Sequence, residues 1–198
     1  VIAVVDSGGA NLTSVMHALE RLDAKAELTA DPEKISRAAK VLLPGVGAAG
    51  RAMELMRERG LVDCVKGLTQ PVLGICLGMQ LLFDRSQEGP TDCLGLIHGQ
   101  VNLFAPQEGL TVPQMGWNQI KASSAGPRCR LLTGIQDGTD FYFVHSYRAE
   151  LGPWTAATCD YGAPFTAVIE QANLFGVQFH PERSGPAGAR LLQNFLDL

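Results

Sequence analysis

Charge is scarce in this chain and nowhere concentrated. Lys plus Arg number 16 against 20 Asp plus Glu, a formal net charge of −4, and charged residues make up only 18%. Without a basic run there is no electrostatic reason to expect nucleic acid or an anionic membrane as a partner. Long hydrophobic runs are also missing. The longest stretch free of charge, Gly67 to Phe83, is interrupted by Gln70, Pro71, Gly74 and Gly78, and falls short of the ~20 apolar residues that span a bilayer. The opening "VIAVVDSGG" has no basic flank and no small-residue cleavage site, so no secretory signal is expected. Cysteines are few and scattered: Cys64, Cys76, Cys93, Cys129 and Cys159, with no CxxC spacing. That argues against a disulfide framework and a zinc site, and for a reducing cytoplasm. No P-loop is present, and the glycine-rich "DSGGAN" does not fit G-x-G-x-x-G, so no metal or cofactor is expected.

What is present is core. Of 198 residues, 46% are hydrophobic, enough for one domain over residues 1–198. The first half alternates. "VIAVV", "AELTA", "VLLPG" and "PVLGI" read as strands; "LTSVMHALERL", "DPEKISRAAK", "RAMELMRERG" and "LGMQLLFD" read as helices. Asp31 is placed to cap the second helix with Pro32 in its first position, and Gly60 ends the third. After Thr91 the pieces are strand-like, with a hairpin expected near Gln171–Asn173 and a closing helix "AGARLLQNFLDL". The reading is a single-domain α/β fold of three layers around a central, mostly parallel mixed sheet.

"GICLGMQ" raises the chemical question. Gly74-Ile-Cys-Leu-Gly78 is a G-x-C-x-G, the cysteine form of a nucleophile elbow, in which a strand-to-helix turn strains the central residue and small neighbours leave room for it. Cys76 would stand at the carboxyl end of a central parallel strand, where open α/β sheets bind ligands. A following helix N-terminus would favour its thiolate. The alternative is a small buried hydrophobe. A thiolate nucleophile needs a base. His17 lies off its helix's apolar stripe, His98 has no partner pattern, and His145 in "FYFVHSY" suits a hydrogen-bonded core position. His180, in "GVQFHPE", has Glu182 two residues on; in an extended segment the two would share a face, and the carboxylate could orient the imidazole. A surface turn is the other reading of that tripeptide.

"PGVG" (Pro44–Gly47), "GICLGMQ" and "GVQFHPE", in this order, resemble the class I (triad) glutamine amidotransferases from end to end. The resemblance implies their flavodoxin-like three-layer fold and L-glutamine as substrate. It makes Cys76 the nucleophile, His180 the proton carrier and Glu182 its orienting group. It puts an oxyanion hole at the backbone of Leu77 and of Val46 or Gly47. It assigns glutamine binding to Gln80 and Glu88, four and twelve residues after the cysteine, and to the backbone around His145, Ser146 and Tyr147.

"LPGVGAAGRAM", "VPQMGWNQI", "FYFVHSYRAE" and "HPERSG" further resemble the glutaminase subunits of imidazole glycerol phosphate synthases. That implies a (β/α)8-barrel cyclase as heterodimer partner, an ammonia channel between the two, and Asn11, Trp117, Asn118 and Arg183 at the shared mouth. Trp117 is equally readable as core. Two departures are visible: "DSGGAN" where many members have D-Y-G-x-G-N, and Gln114 where His commonly precedes M-G-W-N. Three alternatives stay open from sequence: a glutaminase serving another synthase, a stand-alone cysteine hydrolase, and a binding subunit with an idle site.

Overall fold

The computed structural model describes residues 1–8, 12–123 and 129–198. The alternating half folds as β1 (Ile2–Val5), α1 (Leu12–Glu20), β2 (Ala26–Thr29), α2 (Pro32–Arg37), β3 (Lys40–Gly45), α3 (Ala49–Glu58), α4 (Leu61–Lys66), β4 (Val72–Cys76) and α5 (Leu77–Gln80). Asp31 caps α2, its carboxylate accepting from Glu33 N–H at 2.9 Å, with Pro32 in the first turn. Gly60, at φ +65°, separates α3 from α4, a short helix that the sequence pattern did not distinguish.

The remainder is β5 (Phe83–Ser86), β6 (Thr91–Asp92), β7 (Ile97–Leu103), β8 (Gln114–Ala122), β9 (Asp140–His145), β10 (Tyr147–Ala149), β11 (Thr155–Asp160), β12 (Pro164–Gln171), β13 (Leu174–Val177) and α6 (Gly185–Leu196), with 3₁₀ turns at Arg130–Leu132 and Pro181–Arg183. The expected hairpin is there: β12 and β13 pair antiparallel around Ala172–Asn173. Two expectations are corrected. "LGMQLLFD" is one helical turn and not a full helix, because the carbonyls of Leu81 and Leu82 are taken by Leu94, Leu96 and Ile97 N–H groups and the chain leaves as β5. "FYFVHSYRAE" breaks at Ser146 into two strands that pair with different neighbours, β9 with β8 and β10 with β7 and β12.

The sheet is mixed, as expected. In spatial order β2-β1-β3-β4-β13 run parallel, and β12, β10, β7, β5 and β6 continue the same sheet with mostly antiparallel pairing. Strand alternation sends successive side chains to opposite faces. Val4, Leu42, Leu73 and Ile75 join α1 and α6 in one core, while Val5, Leu43 and Val72 join α2, α3 and α4 in the other. Three layers result.

Where β3, β4 and α5 meet, backbones nearly touch. A Cβ on Gly78 would lie 1.7 Å from the Leu43 carbonyl oxygen, and one on Gly74 would lie 2.7 Å from the backbone of Met79. Only glycine fits either position. We expect Gly78→Ala to lower stability by about 3 kcal/mol or more, measured by urea unfolding. A change under 1 kcal/mol would show that the turn has room to spare.

Candidate active site

Three parallel strands end together. β4 lies between β3 and β13, with Gly45 in register with Cys76 and Ile75 with Val177. The loop leaving β3 carries Val46 and Gly47, β4 terminates in Cys76, and the segment leaving β13 carries His180. Cys76 sits at φ +53°, ψ −112°, a backbone conformation that disfavours a side chain. The elbow expected from the glycine spacing is therefore present. The helix that follows is one turn long, so its contribution to the electrostatics of the sulfur is smaller than a full helix would give.

His180 is fixed twice over. Its backbone N–H donates to the Tyr142 carbonyl at 2.9 Å. Ser184 Oγ donates to the His180 carbonyl at 2.7 Å and accepts the Tyr142 N–H at 3.0 Å. Its ring Nδ1 meets Glu182 Oε1 at 2.8 Å, with the two side chains 4% and 1% exposed. The route to that contact differs from expectation. His180 is extended (φ −100°, ψ 96°), but Pro181–Arg183 is a 3₁₀ turn, and it is the turn that carries Glu182 to the ring. Burial alone would lower the pKa of His180; hydrogen bonds and charge interactions with Cys76 and Glu182 override it and raise the group to about 10. The imidazole is thus held as a cation between the sulfur and a carboxylate.

A cavity of about 310 Å³ opens over the sulfur, a volume suited to a small metabolite. Cys76, His180, Val46, Gly47, Leu77, Gln80, Glu88, His145, Ser146 and Tyr147 all line it, so every residue expected at the reaction centre except the buried Glu182 reaches its wall. Gly47, at φ +96°, has open space where a Cβ would be. Gln80 is 4% exposed, and its amide nitrogen already donates to the Tyr147 carbonyl at 2.8 Å and to Gln178 Oε1 at 2.9 Å. Glu88 Oε2 accepts the Ala49 N–H at 2.8 Å, at the start of α3. His145 Nδ1 lies 2.7 Å from the Tyr147 carbonyl oxygen and Nε2 2.8 Å from Gln114 Oε1. Burial pushes His145 down to about 4 against the raising effect of that carbonyl, so it is neutral at pH 7. His17 is exposed, and His98, 93% exposed, stands on β7 beside Asp84 at 3.4 Å.

Two residues escaped the sequence reading. Gln178 is fully buried and its Nε2 lies 3.8 Å from Cys76 Sγ. The signal was available, since a glutamine two residues before His180 in an apolar strand faces the same side. Tyr142 was the other. Trp117, 55% exposed and so not a core residue, packs edge-on to the Tyr142 ring at 5.9 Å, and the Arg183 guanidinium covers the same ring at 4.7 Å. Met115, 66% exposed, lies on the same strand. Asn118 is half-buried and bonds Gln114 at 2.9 Å. Gln114 itself is fully buried, so that departure bears on the packing behind His145 and not on an exposed face. Asn11 lies outside the described residues. Among the described residues no group of His, Cys, Asp and Glu could hold a metal ion, and no helix is long and apolar enough to cross a membrane.

Residues 3–198 match the family of glutamine amidotransferases class-I. The chain is 50% identical over 198 residues to the imidazole glycerol phosphate synthase subunit HisH of Escherichia coli strain K12, covering 100% of this chain and 99% of the relative. The same identity and coverage hold for the subunit HisH of Salmonella typhimurium strain LT2. Among solved structures, a crystal structure of a glutamine amidotransferase aligns with a TM-score of 0.72 at 21% identity, covering 100% of this chain and 97% of the other. The Trypanosoma brucei CTPS glutaminase domain with bound acivicin aligns with a TM-score of 0.67 at 14% identity, covering 99% and 93%. At those identities the structures speak for the fold. The chain belongs to the class I glutamine amidotransferases, and within them to the HisH subunits of imidazole glycerol phosphate synthase.

Proposed function

We propose that the chain hydrolyses L-glutamine at Cys76 and delivers the ammonia to a (β/α)8-barrel cyclase subunit, as the glutaminase half of an imidazole glycerol phosphate synthase in histidine biosynthesis. The observation that carries this reading is the line Cys76–His180–Glu182, with the sulfur on a strained elbow in the floor of the cavity.

The thiolate of Cys76 attacks the side-chain carbonyl carbon of glutamine. The resulting oxyanion takes hydrogen bonds from the Leu77 N–H and from the peptide at Val46–Gly47; one such donor is worth ~2.7–4 kcal/mol in other hydrolases. His180 gives its proton to the amide nitrogen, the C–N bond breaks, and ammonia leaves a γ-glutamyl thioester. Neutral His180 then takes a proton from water, whose oxygen attacks the thioester. Sulfur departs as thiolate, and glutamate is released. Glu182 holds the imidazole throughout. Glu88, with the Gln80 oxygen, would pair the substrate's ammonium, and backbone N–H groups around His145–Tyr147 would take its carboxylate. Metal and cofactor have no assigned part in these steps.

Ammonia freed into water is lost as ammonium, so the chemistry calls for a partner that takes it directly through a channel. The exposed Trp117, Met115 and Arg183 support the reading that the face around Tyr142 is where such a partner would dock. Five free cysteines, none paired, suit a reducing cytoplasm.

With the cyclase bound, Cys76→Ala is expected to abolish synthesis from glutamine and leave synthesis from ammonium salts intact; loss of both in an assembled complex would refute the division of labour. For Glu182→Gln the sign follows from the raised imidazole. Protonated His180 is the competent acid and is lost as pH rises through about 10. Removing the carboxylate brings that alkaline limb of kcat down toward the free value of about 6.5. An unmoved limb would mean that Glu182 only packs. Trp117→Ala is expected to weaken cyclase binding by about 30-fold or more in a titration, in keeping with a buried aromatic anchor.

A further inference from the structure

Among the described residues, the amide of Gln178 is a polar side chain beside the sulfur that the proposed mechanism leaves without a task. Gln178 is fully buried. Its Oε1 accepts from Gln80 Nε2 at 2.9 Å, and its Nε2 lies 3.8 Å from Cys76 Sγ. The direction of that amide is not free. Gln80 Nε2 has two hydrogens, one on the Tyr147 carbonyl at 2.8 Å and the other on Gln178. Turning Gln178 over would set two amide N–H groups against each other in a dry interior, so its oxygen must face Gln80 and its N–H must face the sulfur.

We propose that Gln178 is a further catalytic residue, an N–H donor to Cys76 Sγ whose orientation is fixed by Gln80 acting as its positioning residue. The inference rests on Cys76 being the nucleophile. The other contacts of the sulfur explain why a donor is needed. The thiol donates to the Val144 carbonyl at 3.9 Å. That contact rewards the protonated form and repels the thiolate. An N–H opposite does the reverse: it stabilises sulfur as an anion before attack, and again when sulfur leaves the thioester. The charged and titratable groups facing this spot are His180 with Glu182 behind it on the 3₁₀ turn, His145 from β9, and Glu88 across the cavity. Of these only His180 favours the anion, and the neutral Gln178 donor adds to it and to the short helical turn after Cys76.

The test compares the full-length chain with Gln178→Glu and Gln178→Met, following alkylation of Cys76 by iodoacetamide from pH 5 to 10 with mass-spectrometric assignment of the labelled cysteine. Gln178→Glu keeps the volume and the acceptor for Gln80, and sets a carboxyl group, negative once ionised, against the sulfur, while Gln178→Met removes the donor with no new ionisable group. We expect alkylation at pH 6 to fall about tenfold in Gln178→Met and further in Gln178→Glu, with the pH profile displaced to the alkaline side. In steady-state glutamine hydrolysis kcat should fall with KM little changed. Melting temperatures serve as the control, because a purely structural role would lower them without moving the pH profile. A wild-type profile in a folded Gln178→Met protein overturns the proposal and leaves Cys76 as nucleophile. Undiminished glutamine hydrolysis by Cys76→Ala would overturn both.

Discussion

Everything at this site depends on holding one cysteine in a backbone conformation that a side chain resists. Cys76 at φ +53° is strained by itself, at a cost of order 1–3 kcal/mol. The frame that sustains it is made of absent side chains. Gly78 lies against the Leu43 carbonyl, Gly74 against Met79, and Gly45 against Gly78 N. β3 and β13 flank β4 in register and keep it from relaxing sideways. The strain is thus offset by packing in the middle of the sheet, where many contacts are shared.

Two histidines border the same cavity and are driven in opposite directions. His145 is buried among Phe104, Phe143 and Phe165, and its polar contacts are uncharged. Desolvation prevails there and the ring is neutral. His180 is also buried, but it touches a sulfur on one side and a carboxylate on the other, and charge prevails over desolvation. The residue type is the same; the neighbours assign the work. A neutral His145 can support the Tyr147 carbonyl without competing for the proton that His180 carries.

Local signals reached far into this fold. Alternating hydrophobic runs gave the parallel half, because each buried strand is short and bounded by glycine, proline or a cap such as Asp31. G-x-C-x-G announced the elbow, since each of its glycines answers to a close main-chain approach, Gly74 to Met79 five residues on and Gly78 to the Leu43 carbonyl of β3. Long-range pairing was harder to read. The end of α5 is decided by Leu94, Leu96 and Ile97, which pair with Leu81 and Leu82 from more than ten residues downstream. Ser146 parts β9 from β10 because each finds a different neighbour in the sheet. Glu182 reached His180 as anticipated, though by a tight turn and not along an extended chain. Gln178 and Tyr142 were passed over for a common reason: their importance lies in what the fold brings up against them, the sulfur in one case and Trp117 with Arg183 in the other.

The glycine frame around the elbow has a consequence of another kind. None of its contacts uses the sulfur atom: the close approaches at Gly45, Gly74 and Gly78 are made by main chain and by Leu77, and the strand register by backbone hydrogen bonds. Chemistry and architecture are therefore separable in this molecule. A copy that has lost its thiol is expected to keep its shape and the aromatic face around Tyr142 and, under the docking proposed there, to compete with intact copies for the partner, a silent stand-in within the population.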